Sequence, residues 1–563
     1  MNRRSLLLSI LLLVLLGLLG YVLYPVIGPS GGRGATQAPR AIPNTDLDPF
    51  GANFFLEREV EPWKREETVR MAREAGIVWA KQQFPWYEIE PRQGQFKWQK
   101  YDAIVDLCEA YGLQIVARLD SAPNWSRQDN SMPGRPPDDF DLYGEFVYRF
   151  VDRYRGRVRY IQIWNEPNLY IEWGNRPVDP AGYVDLLRLA YRRAKDADPD
   201  VYVLSAPLAI TLGEPHPEPG KWRAMSDLQF LEEMYEAGAA SYFDILSANA
   251  FGMDLPPEDP PSPGKLNFAR VALQREVMER YGDVQKPIWF NEYGWNAAPD
   301  SFSEEALVWK RVTEEDQALY TLRGIEYARE NWPWAGVFFI WYFRQVGNVS
   351  PDDPGYYFRM VDVDFSPRRI YTAVQDKAVQ LAEAGPGYYE ETNPAVNVAA
   401  GRWTSRIDPL ASGQSVLTAD TPGSTLTFAF RGGEVYLVTR RGPEGGQLLV
   451  TLDGENVEGL PRDAQGRSYV ELYAPQGGSE EAIASLLLVK DSNPRRRTLR
   501  LTVSEFAHPD SAGHEAVVDA FQVGKAASEP FPVLPVILLL LGCVGVGWLL
   551  GRSTMVNGRR RRR

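Results

Sequence analysis

The chain has 563 residues, 44% of them hydrophobic, and a formal net charge of -13 at pH 7. That length exceeds one ordinary domain, and the acidic balance argues against nucleic acid, whose phosphates demand a basic surface. Two Cys and three scattered His (His216, His508, His514) give no disulfide framework, no Cys- or His-based metal site and no Ser-His-Asp arrangement. No metal or organic cofactor is signalled.

In chain order, Arg3-Arg4 precede an apolar run from Leu6 to Ile27, and residues 1–28 read as a signal or an uncleaved transmembrane anchor. Ala38 after Thr36 leaves cleavage open. Residues 29–47 have the Gly/Pro-rich composition of a linker. From 48 to 390, short apolar runs alternate with helical spacing. The expected strands are Phe50–Phe54, Ile77–Gln82, Gln114–Leu119, the run from Tyr160, Tyr202–Ser205, Phe243–Ala248, the run carrying Glu292, and Gly336–Trp341. Helical stretches separate them, among them Glu66–Ala75 and Tyr101–Tyr111, which end at Gly76 and Gly112. Eight such units call for an α/β fold, a (β/α)8 TIM barrel. The rival, a doubly wound open sheet, would usually bring a Gly-rich phosphate turn, and no such motif occurs.

Residues 395–525 change character to short strands between Gly-rich turns, with Asp453-Gly454 as a hairpin signal. They read as a β-sandwich. Residues 531–551 form a second apolar run and the tail 552–563 ends in Arg559–Arg563, so a second transmembrane helix with a basic cytoplasmic end is expected. Both basic ends would lie inside and the domains between them outside the cell membrane.

Two residues stand out. Glu166 follows Tyr160-Ile161-Gln162-Ile163-Trp164-Asn165, and Glu292 follows Pro287-Ile288-Trp289-Phe290-Asn291. Each is a carboxylate at the end of a buried apolar run, where a parallel barrel places its chemistry. Strands four and seven face one another across the barrel mouth. Two carboxylates so placed can work on a glycosidic bond, one as acid and one as nucleophile. Asn165 supplies an amide suited to a sugar 2-hydroxyl, and Trp164, Trp295 and Trp341 flank the pair. The alternative for either Glu alone is a structural strand-end ion pair. Arg127–Asp139 and Asp254–Lys265, rich in Pro and acidic residues, are either groove walls or plain solvated loops.

Trp164-Asn165-Glu166-Pro167 resembles the acid/base motif of the clan A retaining glycoside hydrolases, and Asn291-Glu292-Tyr293-Gly294 their nucleophile strand. Phe84-Pro85-Trp86-Tyr87-Glu88-Ile89-Glu90-Pro91, with Gly94, Phe96 and Trp98, resembles a segment of families 39, 42 and 5; Ala122-Pro123-Asn124-Trp125 resembles their third-strand loop. The likeness spans about residues 50–380 and is nearest to family 39. It implies Glu166 as acid/base, Glu292 as nucleophile, and substrate contacts from Asn165, Lys81, Trp86, Trp125, Asn249, Tyr293, Trp295 and Trp341. Two positions depart from the pattern. Lys81 stands where the clan usually has Arg, and Asn249 and Phe251 stand where strand six often offers His or Tyr. The sandwich resembles galactose-binding-like or carbohydrate-binding jelly rolls, with a plain spacer as the alternative.

The expectation is a membrane-anchored, extracytoplasmic retaining β-glycosidase that hydrolyses a β-linked oligo- or polysaccharide without a cofactor. The rivals are a non-catalytic glycan-binding scaffold and a transglycosylase. Glu→Gln changes separate the first, because a binder keeps its affinity. Product analysis with acceptor sugars separates the second.

Overall fold

A computed structural model describes residues 42–132, 135–347, 350–475, 483–490 and 496–524, with 545, 546 and 548. Eight parallel strands form the first domain: β1 (Phe50–Phe54), β2 (Trp79–Pro85), β3 (Gln114–Asp120), β4 (Tyr160–Ile163), β5 (Tyr202–Leu204), β6 (Leu246–Phe251), β7 (Ile288–Gly294) and β8 (Ala335–Ile340). Their order is β5-β4-β3-β2-β1-β8-β7-β6. The ring closes between β5 and β6 through a parallel bridge, Leu204 to Ile245, and the bond from Ser205 N to Ile245 O at 3.1 Å. This is the barrel expected from the alternation.

The helices form where the sequence supplies caps. Asp179 accepts from Gly182 N ahead of Pro180–Ala197, and Thr313 from Asp316 N ahead of Glu314–Asn331, whose first turn is acidic as the helix dipole favours. Gly76 ends Pro62–Glu74 with φ +81°, and a Cβ there would lie 2.2 Å from that of Ala378. Inside the barrel, Trp79, Val116, Tyr160, Leu204, Ile245, Trp289, Val337 and Phe339 fill the floor as one apolar cluster, so the interior is a packed core below the mouth.

The second domain is a β-sandwich. One sheet runs Gly387–Glu390, Ala520–Gly524, Glu434–Arg440, Ile483–Lys490; the facing sheet includes Val396–Ala400, Thr425–Phe430, Arg497–Val503 and Gln447–Leu452. Phe428 and Phe521 stack across the core with ring centroids 4.2 Å apart. Asp453 and Gly454 both have positive φ and turn Leu452 onto Glu455, as the hairpin signal requires.

Two boundaries move. The sandwich begins at Gly387, not 395, because Tyr388 and Tyr389 pair antiparallel with Gln522 and Phe521. The sixth barrel strand is Leu246–Phe251, not Phe243–Ala248. Asp244 belongs to the lead-in: its carboxylate accepts from Val203 N at 2.8 Å, and the pleat then continues through Asn249. Both expected transmembrane runs fall outside the described stretches, apart from residues 545, 546 and 548. No helix among the described residues is long and apolar enough to cross a membrane.

Candidate active site

Side chains alternate along a strand, so every second residue of a barrel strand faces inward. Trp79 on β2 lies in the floor cluster, hence Lys81 faces in one layer higher; on β3, Val116 puts Arg118 and Asp120 on the inner row. On β7, Trp289 faces in and Phe290 faces out, stacked on Trp332. Strict alternation would then send Glu292 outward. A bulge prevents this. The β6–β7 register passes from Ala248↔Phe290 to Asn249↔Glu292, with Asn291 as the extra residue. Asn53 Nδ2 donates to the Asn291 carbonyl at 3.1 Å and ties down the bulge. Glu292 thereby turns inward, where Lys81 Nζ donates to its Oε1 at 3.2 Å; both side chains are buried.

Glu166 arrives by a different device. β4 stops at Ile163, and Trp164 (φ +70°) and Glu166 (φ +40°) both take left-handed backbone, which non-glycine residues seldom adopt. Surrounding bonds impose it: Trp164 N to Leu119 O at 3.1 Å, Gln162 Nε2 to Trp164 O at 2.7 Å, and Glu166 N to Pro207 O at 3.1 Å. Asn168 locks the next turn, bonding Ala209 N, Ala209 O and Met225 O. Strain held this firmly is characteristic of functional positions. Asn249 Nδ2 donates to Glu166 Oε1 at 2.6 Å, while Asn249 Oδ1 faces Asn291 Nδ2 at 3.5 Å. Asn249 lies opposite Glu292 in the ladder, so the residue that bonds Glu166 neighbours the Glu292 position on the adjacent strand.

The electrostatics single out Glu166. Loss of hydration pushes the Glu166 carboxyl up to about 8, reinforced by the charges of Glu292 and Glu172 and opposed by Lys81 and the Asn249 bond. Glu166 keeps some contact with solvent through the mouth. Burial likewise pulls Lys81 down to about 8, against the attraction of Glu292.

Three charged residues at the mouth escaped the sequence reading. Arg118 Nε lies 2.7 Å from Asp120 Oδ2, and Gln83 Nε2 donates to Asp120 Oδ1 at 2.7 Å. Glu172, raised by burial, is bonded by Asn165, whose own Oδ1 is buried without a partner. For Arg118 and Asp120 the available signal was the inward row of β3, where a charged residue is costly unless it serves a purpose. The mouth thus holds Asp120, Glu166, Glu172 and Glu292 against Lys81 and Arg118.

The predicted aromatic contacts divide. Trp341, at the end of β8 beside Phe55, and Trp125, whose indole donates to Glu90 O at 2.8 Å, are partly exposed. Trp86, Tyr293 and Trp295 are corrected to core residues. Trp86 is fully buried, bonds Glu90 Oε2 at 2.7 Å and packs on Phe146. Tyr293 follows the bulge and faces outward, its hydroxyl on Thr321 O. Trp295 packs on Phe268 and donates to Leu255 O at 2.8 Å. The Arg127–Asp139 loop is partly tethered: Arg127 bonds Met132 O and Arg135 bonds Gly174 O.

The sequence model of glycoside hydrolase family 42, described as beta-galactosidase, matches residues 57–130, the stretch that carries Lys81, Trp86, Arg118 and Asp120. No curated protein matches the chain. Among solved structures, the chain is similar to a family 39 glycoside hydrolase from the gut symbiont Bacteroides cellulosilyticus WH2, with 17% identity over 83% of this chain and 82% of that one and a TM-score of 0.45. It is also similar to a family 39 enzyme from Xanthomonas axonopodis pv. citri, at 15% identity over 84% and 99% of the two chains and a TM-score of 0.46. A monomeric beta-xylosidase from Caulobacter crescentus CB15 gives 15%, 84% and 98%, and 0.45. At such identities and scores, any assignment of a reaction rests on the residues of the mouth.

Proposed function

We propose that the chain is a retaining β-glycosidase acting on a β-linked oligo- or polysaccharide by double displacement. Glu292 attacks the anomeric carbon while Glu166 passes its proton to the departing oxygen. The resulting glycosyl ester on Glu292 is then hydrolysed by a water whose proton returns to Glu166. The observation that supports this reading is the Asn249 amide, opposite Glu292 in the ladder and bonded to Glu166 at 2.6 Å. It holds a carboxyl that keeps its proton near neutrality, from the strand beside the one that carries the Lys81-paired Glu292.

The apolar runs 6–27 and 531–551, each with Arg on its outer flank, support tethering of this activity on the outer face of a membrane. A panel of chromogenic β-glycosides and then of polysaccharides tests the activity. Turnover that vanishes in Glu292→Ala and returns with added azide as the α-glycosyl azide supports the scheme. Glycan binding without turnover in the unsubstituted chain refutes it. Protease protection of the domains in sealed, right-side-out cells would refute the outer placement.

A further inference from the structure

The barrel and the sandwich begin and end on the side opposite the mouth. At the start, residues 44–48 cross the barrel floor. Leu47 belongs to the floor cluster, Trp289 Nε1 donates to Asn44 O, and Trp79 Nε1 donates to Asp48 O, each at 3.0 Å. The chain before them therefore enters from beneath. The last barrel helix, Arg369–Leu381, runs from the mouth side down to the floor side. There Gln375 Nε2 donates to Glu74 O at 2.8 Å, and Ala378 abuts Gly76 ahead of β2. Two short steps lead from that helix to the end of the final sandwich strand: Arg431 N donates to Ala384 O at 2.7 Å, and Gly433 N to Gly524 O at 3.1 Å. Gly524 also lies in register with Glu434, and Glu434 with Lys490.

Lengths then decide how the fold can stand on a membrane. Residues 525–530 separate Gly524 from the second apolar run. Fully extended, a link of that length reaches about 20 Å. The helix Glu314–Asn331, which leads from the mouth end of β7 to the floor end of β8, has 18 residues and is about 27 Å long. The link is shorter than the barrel is tall, and it starts from the floor side, so it cannot pass around the barrel to bring the mouth down to a bilayer. A site that its tether cannot deliver to a ligand meets that ligand at an effective concentration near zero. We propose that the floor side and the sandwich face the bilayer while the mouth opens away from it, so that the substrate is a glycan presented from outside and a sugar attached directly to a membrane lipid is excluded. This rests on the outer tethering proposed above.

The test uses the full-length chain reconstituted in phosphatidylcholine vesicles that carry an acceptor dye on a fraction of the headgroups. Donor dyes are placed singly, on Lys490→Cys beside Gly524 or on Asp300→Cys in the loop after β7, in a Cys543→Ser background; Cys108 is buried and does not compete. Both labelled positions are exposed surface, at 77% and 100% of the side chain. Energy transfer from position 490 is expected to exceed that from position 300 by about threefold or more, because the two stand at opposite ends of the barrel's height. In a second arm, the unsubstituted chain meets one sugar in two forms: a soluble chromogenic glycoside, and a dialkylglycerol glycoside in its own vesicle, at dilutions that keep vesicles apart. The soluble form is expected to be cleaved throughout, and the lipid-borne form only after detergent dissolves the vesicles. Equal transfer from the two positions, or cleavage of the lipid-borne sugar in intact vesicles, would overturn the orientation and leave the tethering and the glycosidase reading standing. Should a labelled variant fail to fold, the second arm decides by itself. A chain that does not float with the vesicles would overturn the tethering, and the orientation with it.

Discussion

Both ends of the barrel collect carboxylates away from bulk water, and the two collections are built differently. At the mouth, Asp120, Glu166, Glu172 and Glu292 share Lys81 and Arg118, with the Asn249 amide donating to Glu166. Below the floor, Glu390, Glu391 and Asp519 have serine hydroxyls and one amide, and two of their oxygens have nothing. The mouth carries its own counter-charges and leaves one carboxyl free to hold or lose a proton, as acid–base work requires. The floor cluster has hydroxyl and amide donors in place of bonded cations, with Arg159 lining the space beside it. Burial alone therefore does not mark a catalytic carboxylate; the partners do.

The comparison breaks first at the mouth. Glu292→Ala is expected to abolish turnover, by about 10⁴-fold or more. Glu166→Gln is expected to cost about 10²–10⁴-fold, most for substrates with poor leaving groups. Calorimetric glycan binding should survive both changes. Steady-state kinetics would contradict the assignment if either variant kept near-normal rates.

The next largest effect separates core from cleft aromatics. Trp86→Ala empties a fully buried site and is expected to lose about 3–5 kcal/mol in urea unfolding. Trp341→Ala, partly exposed at the mouth, should lose much less stability and raise KM instead. Equal losses in the two variants would place Trp341 in the core as well.

The smallest effect is the most specific. Turnover needs a protonated Glu166, so the rate should fall as pH rises through about 8. Lys81 discharges in the same range and adds to that fall. The Asn249 bond favours the ionised carboxylate and lowers the pKa of Glu166, so Asn249→Ala should move the basic limb upward. A downward shift in the pH–rate profile would contradict the bond.

Much of this was legible from residue types and spacing. The alternation of runs gave the barrel, and Glu166 and Glu292 stood out because a charge closing an apolar run has few uses. What spacing could not carry was backbone irregularity. Simple alternation from Trp289 would turn Glu292 away from the mouth and Tyr293 into it; the bulge at Asn291 reverses both. Trp86 sat in a segment rich in aromatic residues, and nothing in that pattern distinguishes a ring under the site from one lining it. Glu390 and Glu391 fell at the expected domain boundary, and their partner Asp519 is more than a hundred residues away in sequence, so strand pairing alone reveals the cluster.

The central claim is that Glu166 and Glu292 sense one another across the mouth. Carbon-13 NMR titration of the Glu166 carboxyl, in the unsubstituted chain and in Glu292→Gln, tests this without any knowledge of the substrate. The expected midpoint is near 8 and drops clearly in the variant, yet stays above that of an ordinary glutamate, because burial is the larger cause. A midpoint in the ordinary range, or one indifferent to the substitution, would contradict it.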